Sequence, residues 1–128
     1  MTTNPELPRP VRGEVWLIDW SPGRGSEQLG RRPALIVQND MGNQSRGYTN
    51  TIVVAISTKG KNVPLHVRIP KSKSNGLRED SFVKCEQVMT ISKSRLVGRA
   101  WGRLTSEQMR QVNTAVAASL GLPELIGE

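Results

Sequence analysis

The sequence predicts a mainly β domain with accessory helices, a small and strongly curved antiparallel sheet or barrel carrying one C-terminal helix. Three observations lead there. Short apolar or alternating runs follow one another, separated by Gly, Pro, Asn and Ser. Sustained helical periodicity occurs only after Thr105. No internal repeat divides the 128 residues. That length suits one domain with a modest core. The expected organisation is a flexible arm over 1–10, a folded domain over 11–122 and a tail over 123–128.

The arm has three prolines and no apolar periodicity. Arg12 to Trp20 alternates well enough for a first strand, with Val15 and Leu17 on one face and Trp16, Ile18 and Trp20 on the other. Ser21-Pro22-Gly23 breaks it. A long polar loop then delivers Arg31 and Arg32 to the mouth of Pro33-Ala34-Leu35-Ile36-Val37. That run is apolar throughout, as a central strand buried on both faces must be. Residues 41–50 read as a polar, mobile connection. Thr51 to Ile56 is a second buried strand of β-branched residues, ending at Ser57-Thr58 and the basic turn Lys59-Gly60-Lys61-Asn62.

Leu65 to Ile69 alternates, setting His66 and Arg68 opposite Leu65, Val67 and Ile69. Lys71 to Gly76 is a Lys/Ser-rich loop, Ser81 to Ile91 supplies more strand, Ser92 to Leu96 a helical turn, and Gly98 to Leu104 a last strand. Thr105 and Gln108 form a capping box, with Leu104 and Met109 as the accompanying hydrophobic staple. Met109, Val112, Val116 and Leu120 then recur at helical spacing, and Gly121 and Pro123 supply the stop.

Eighteen basic against eleven acidic residues give a net charge of +7, and the pI is about 10.3. That balance favours a polyanionic partner, nucleic acid above all. The single cysteine, Cys85, excludes an internal disulfide framework and suits a reducing cytoplasm; its place in an alternating pattern makes it a small core or interface residue. With His66 the sole histidine there is no zinc-type cluster, so neither metal nor cofactor is expected. The polar N-terminus lacks a secretory signal, and no apolar run nears the roughly 20 residues of a membrane span.

An ordered series of motifs goes further. RGEVWLIDW (Arg12–Trp20), SP (Ser21, Pro22), GSEQ (Gly25–Gln28), RRP (Arg31–Pro33) and QND (Gln38–Asp40) come first. The Ser57-Thr58 strand end, DSFVKCEQ (Asp80–Gln87), KSRL (Lys93–Leu96), GRL (Gly102–Leu104) and SLGL (Ser119–Leu122) follow. Together they resemble the MazF/PemK/Kid family of toxin endoribonucleases over nearly the whole chain. The resemblance implies an SH3-like barrel working as a homodimer, and a metal-independent cut in single-stranded mRNA by 2′-hydroxyl attack. It also implies a cognate MazE-like antitoxin whose acidic tail competes with RNA.

The same resemblance implies an active pair, here Arg32 and Ser57. Family members often carry threonine where this chain has Ser57, so Thr58 stands as the alternate hydroxyl. An arginine fork suits the extra charge of a phosphorane, and a hydroxyl can donate to the same oxygens. Glu27 is a candidate base or base reader. His66 reads as structural, or at most as a substrate contact. The candidate RNA backbone contacts are Arg24, Arg31, Arg46, Lys59 and Lys61, and Gln28, Glu86 and Gln87 are candidate RNA contacts beside them. Trp16, Trp20 and Trp101 read mainly as core or interface. The competing reading is a non-catalytic toxin on this fold that grips a protein such as DNA gyrase.

Overall fold

A computed structural model describes residues 6–21 and 30–122. Six strands and two helices follow in order: β1 (Glu14–Asp19), β2 (Arg31–Ile36), α1 (Asp40–Gln44), β3 (Asn50–Ser57), β4 (His66–Ile69), β5 (Ser81–Ser92), β6 (Leu96–Arg103) and α2 (Ser106–Ser119). A single 3-10 turn, Lys93–Arg95, joins β5 to β6. The strands form one antiparallel sheet in the order β4-β5-β3-β2-β1-β6.

Both faces of the middle strands are buried. One face gathers Val15, Leu35, Val54, Ile56, Val67, Val83 and Cys85 beneath Val112 and Ala115 of α2; the other gathers Trp16, Ile18, Ala34, Ile36, Val53, Ile91 and Leu96. This is why β2 and β3 contain apolar runs where a one-sided strand would alternate. Each buried aliphatic side chain contributes roughly 1.5–3 kcal/mol. Cys85 is core, as its pattern indicated, and burial first, then the Glu86 charge, pushes its thiol up to about 12.

The expected apolar strand starts two residues earlier and ends one residue earlier than its apolar run. It begins at Arg31 and ends at Ile36, with Val37 just beyond. The β1 ladder includes Leu17↔Pro33, whereas the β3 ladder starts at Ala34↔Ala55. The missing proline N–H therefore falls on the side where pairing has not begun.

The 41–50 connection contains α1, which departs from the expected polar loop. Asn39 caps it by accepting from the Gly42 N–H at 2.9 Å. The ammonium of the buried Lys93 donates to the carbonyls of Gly42 (3.0 Å) and Ser45 (3.2 Å) at its other end. So short a helix gains its stability from such tertiary caps rather than from propensity. Of the residues assigned to the arm, Glu6–Pro10 are described. Pro10 is buried, its carbonyl accepts from Gln44 at 2.8 Å, and Glu6 pairs with Arg9 and Arg46.

α2 follows its sequence signals closely. Thr105 and Gln108 exchange side-chain-to-backbone bonds. Gly121, at φ +70°, and Leu122 return N–H bonds to Ala118 and Ala117 in a Schellman closure. The buried stripe is Val112, Ala115 and Ala117, whereas Leu120 is exposed. Leu120, Leu122, Met41 and Tyr48, four of the exposed large apolar side chains, line a cleft of about 1320 Å³ between α1, the sheet and α2.

Candidate active site

The site follows from strand register. On this side the β2–β3 ladder starts at Ala34 opposite Ala55, and carrying its register two residues outward sets Arg32 across from Ser57. Ile18 faces Arg32 on β1, and Phe82 of β5 faces both Ser57 and Arg68. One row across the sheet therefore reads Ile18, Arg32, Ser57, Phe82, Arg68. Directly opposed residues share a face, and neighbouring strands lie about 4.8 Å apart. The Arg32 and Ser57 side chains thus leave the same face of adjacent strands.

Arg31 does not join them. It is the next residue on β2 and faces Asp19, so its side chain leaves the opposite face. The two arginines that the loop delivers therefore leave opposite faces of β2, and the outward register sets Arg32 alone on the Ser57 face. Both arginines are exposed.

Ser57 Oγ accepts the Lys59 N–H at 3.0 Å. With that lone pair engaged, the hydroxyl proton is free to be donated outward. Thr58 lies beyond the last β3 residue and is exposed, with the opposite strand parity to Ser57. The turn then carries the exposed Lys59 and Lys61 and folds over Phe82, where a side chain at Gly60 would strike the ring.

The neighbouring row brings Lys84 of β5 opposite both Ala55 and His66. Between Lys84 and Val88 the β5 register shifts, because Val54 and Ala55 are consecutive on β3 while their partners are four residues apart. Cys85, Glu86 and Gln87 fill this bulge, with Cys85 turned into the core and Glu86 and Gln87 exposed. Bulges re-aim side chains at functional edges.

The Glu86 carboxylate meets His66 Nε2 at 3.0 Å, while His66 Nδ1 accepts the Lys61 N–H at 3.0 Å. With Nδ1 accepting, Nε2 is the ring nitrogen left to donate to Glu86. The bond from His66 is the main cause holding the Glu86 carboxyl below its ordinary range. His66 thus bonds within the protein through both ring nitrogens, and the alternation of LHVRI turns it away from the buried Val67 and Ile69.

The other candidates fall differently. Arg46 is paired with Glu6 at 2.9 Å beyond the Asn50 end of β3. Eight residues of strand put it roughly 25 Å from Ser57. Arg24, Glu27 and Gln28 lie outside the described residues. The hairpin that contains them is closed by Trp20 N–H to the Gly30 carbonyl at 2.9 Å. Arg95 of the KSRL motif donates to the carbonyls of Asp19 (2.9 Å) and Ser21 (2.7 Å) at its base, a role not read from the sequence. Trp16 is core, and Trp101 packs on the α2 side beneath Arg78, 5.1 Å from the ring centre. Among the described residues no group of three or more His, Cys, Asp or Glu is arranged to hold a metal ion.

Residues 11–120 match the family described as PemK-like, MazF-like toxins of type II toxin–antitoxin systems. The endoribonuclease MazF of Staphylococcus saprophyticus is 45% identical over 114 residues, covering 87% of this chain and 91% of that protein. That of Staphylococcus epidermidis is 44% identical over the same length and shares. Among solved structures, a mycobacterial endoribonuclease in complex with its cognate antitoxin superposes with a TM-score of 0.72 at 30% identity, over 89% of this chain and 97% of that one. The Deinococcus radiodurans MazE–MazF complex shares the fold with a TM-score of 0.73 at 19% identity, over 89% of this chain and 98% of that one.

Proposed function

This chain belongs to the PemK-like, MazF-like toxin family of type II toxin–antitoxin systems, and on that premise we propose how it acts. It is a toxin endoribonuclease. Its substrate is single-stranded RNA, cut at selected sequences in mRNA so that translation and growth stop. The 2′-hydroxyl of the target nucleotide attacks the adjacent phosphorus and the 5′-oxygen of the next nucleotide leaves, giving a 2′,3′-cyclic phosphate and a 5′-hydroxyl.

The observation that supports this reading is the β2–β3 register, Ala34 opposite Ala55, which carried two residues outward sets Arg32 across from Ser57. Arg32 holds the nonbridging oxygens and stabilises the phosphorane, the term expected to dominate such a reaction. Ser57, its acceptor side occupied by the Lys59 N–H, donates its proton to the same oxygens. Arginine is a poor base, so Arg32 supplies charge and the proton for the leaving oxygen. Glu27 remains the candidate for removing the 2′-proton. Lys59 and Lys61 hold the RNA backbone, and Glu86 and Gln87, lifted out of the ladder by the bulge, read base edges.

The partners are a MazE-like antitoxin, whose acidic segment competes with RNA for the Arg32–Lys61 surface, and a second copy of this chain. The exposed Met41, Tyr48, Leu120 and Leu122 along one cleft support the second copy, since so much contiguous apolar surface is unusual on a monomer. The cell compartment is the cytoplasm. No helix among the described residues is long and apolar enough to cross a membrane.

The test is cleavage of a mixed-sequence RNA by purified protein in excess EDTA, with Arg32→Ala beside it. Discrete cuts with 5′-hydroxyl ends, absent from the variant, are expected. Growth arrest that needs DNA gyrase and survives Arg32→Ala would instead favour the protein-gripping alternative.

A further inference from the structure

His66 occupies a position that invites a role in the chemistry, yet its geometry argues for a different one. From Ser57 the sheet runs through β5 to β4, so His66 lies two strands away, about 10 Å, and one row over. That distance exceeds the direct reach of a proton transfer and is one a neighbouring nucleotide spans. Both ring nitrogens are already engaged, Nδ1 by the Lys61 N–H and Nε2 by Glu86. The side chain is only 10% exposed although the carboxylate it holds is 40% exposed.

We propose that His66 is a positioning residue for RNA: in its neutral form it ties the Lys59–Lys61 turn to the Glu86 bulge, so that backbone-holding and base-reading groups are fixed as one surface, and protonation of His66 loosens that surface. The proposal rests on the RNA-cleaving reading above. Protonated Nδ1 becomes a donor and faces the Lys61 N–H, so the turn must move away. The bond to Glu86 persists, as imidazolium to carboxylate.

The other charged groups around the ring are Lys84 opposite it on β5, Arg68 two residues on along β4 with its partner Asp80, and the exposed ammonium groups of Lys59 and Lys61. Phe82, with its ring centre 6.5 Å away, packs on the same side. Glu86 is held below the usual carboxylate range, chiefly by the bond from His66. His66 is the only histidine of the chain, so a pH response lost in both His66 variants traces to this ring.

The sign of the effect separates this device from simple charge. An added cation on an RNA-binding face tightens binding as pH falls. Loss of the Lys61 contact weakens it. The measurement is anisotropy of a labelled 2′-O-methyl oligoribonucleotide pool, which binds but cannot be cut, with steady-state cleavage of unmodified RNA alongside. Wild-type binding is expected to weaken by about tenfold from pH 7.5 to 5.5, the size of one lost hydrogen bond.

His66→Asn keeps an acceptor near Nδ1, and His66→Gln keeps a donor near Nε2. His66→Asn should bind nearly as wild type does at pH 7.5. His66→Gln should resemble acidified wild type, with KM raised and kcat within about twofold. Both should lose the pH dependence. Tighter wild-type binding at low pH, or a fall in kcat at constant KM in His66→Gln, overturns the proposal. A wild type that binds but never cuts overturns the nuclease reading instead, and the binding arm still decides this one.

Discussion

The two ends of β3 are equally polar in sequence and opposite in consequence. At the Asn50 end, Asn43, Thr51 and Lys93 are buried, and their bonds close on one another and on the chain. Thr51 Oγ1 donates to Asn43 Oδ1 at 2.7 Å, Asn43 Nδ2 donates to the Gln38 carbonyl at 2.8 Å and to Asp40 at 3.1 Å, and Lys93 caps α1. At the Ser57 end, Arg32, Thr58, Lys59, Lys61, Glu86 and Gln87 are all exposed. There the bonds orient a hydroxyl and a carboxylate outward rather than consuming them. Bonds that end inside the protein make scaffold; bonds that leave a donor or acceptor aimed at solvent make a site.

That contrast is sharpest in single substitutions. Arg32→Ala should lower RNA cleavage by about 100- to 1000-fold, the range for removing a transition-state donor, with thermal stability within about 0.5 kcal/mol of wild type. A variant that unfolded would move Arg32 to the scaffold side. Ser57→Ala should cost about 10- to 100-fold in kcat, while Thr58→Ala, of the opposite parity, should stay within about twofold in the same assay. The reverse ranking would hand the hydroxyl role to Thr58.

At the other end, Lys93→Met should remove about 1–3 kcal/mol of stability in urea unfolding, by leaving the Gly42 and Ser45 carbonyls with only their long bonds from the Ser45 and Tyr48 N–H groups. Its kcat per folded molecule should be unchanged, and a selective loss of activity would blur the division between the two ends. Smaller again is the acid limb of stability. The folded Glu86 carboxyl lies below its unfolded value, so its contribution is present above the unfolded pKa and is lost as pH falls through the folded one. Glu86→Gln should therefore flatten that limb slightly in pH-dependent melts. Smallest is Cys85, whose buried thiol, pushed up to about 12, should resist thiol reagents at pH 8 until the protein unfolds.

What could be read from the sequence divides along similar lines. β2 and β3 were legible because burial on both faces forces uninterrupted apolar runs, and α2 because its caps are local. The Arg32–Ser57 pair came only from the family resemblance, and the β2–β3 ladder starts two residues short of it, at Ala34 and Ala55; cross-strand register depends on the whole ladder. α1 was not legible. Asn39 caps its start locally, but the ammonium at its far end comes from Lys93, 51 residues from Gly42, and five residues leave no room for periodicity. The Cys85–Gln87 bulge was hidden for a related reason, because Ser81–Ser92 still looks like one strand when its partner's shift is unknown. His66 was correctly turned outward by alternation, yet its two partners arrive from a turn and a bulge that no local pattern announces.

The Arg95 clasp on the Asp19 and Ser21 carbonyls, with the Trp20–Gly30 closure beside it, has a bearing on how such a protein diversifies. A main-chain carbonyl offers the same acceptor whatever side chain it carries, so this clasp tolerates exchange at the residues that accept and depends on the one that donates. Variation is therefore cheap on the accepting side and costly at Arg95, whose loss would release both carbonyls at once.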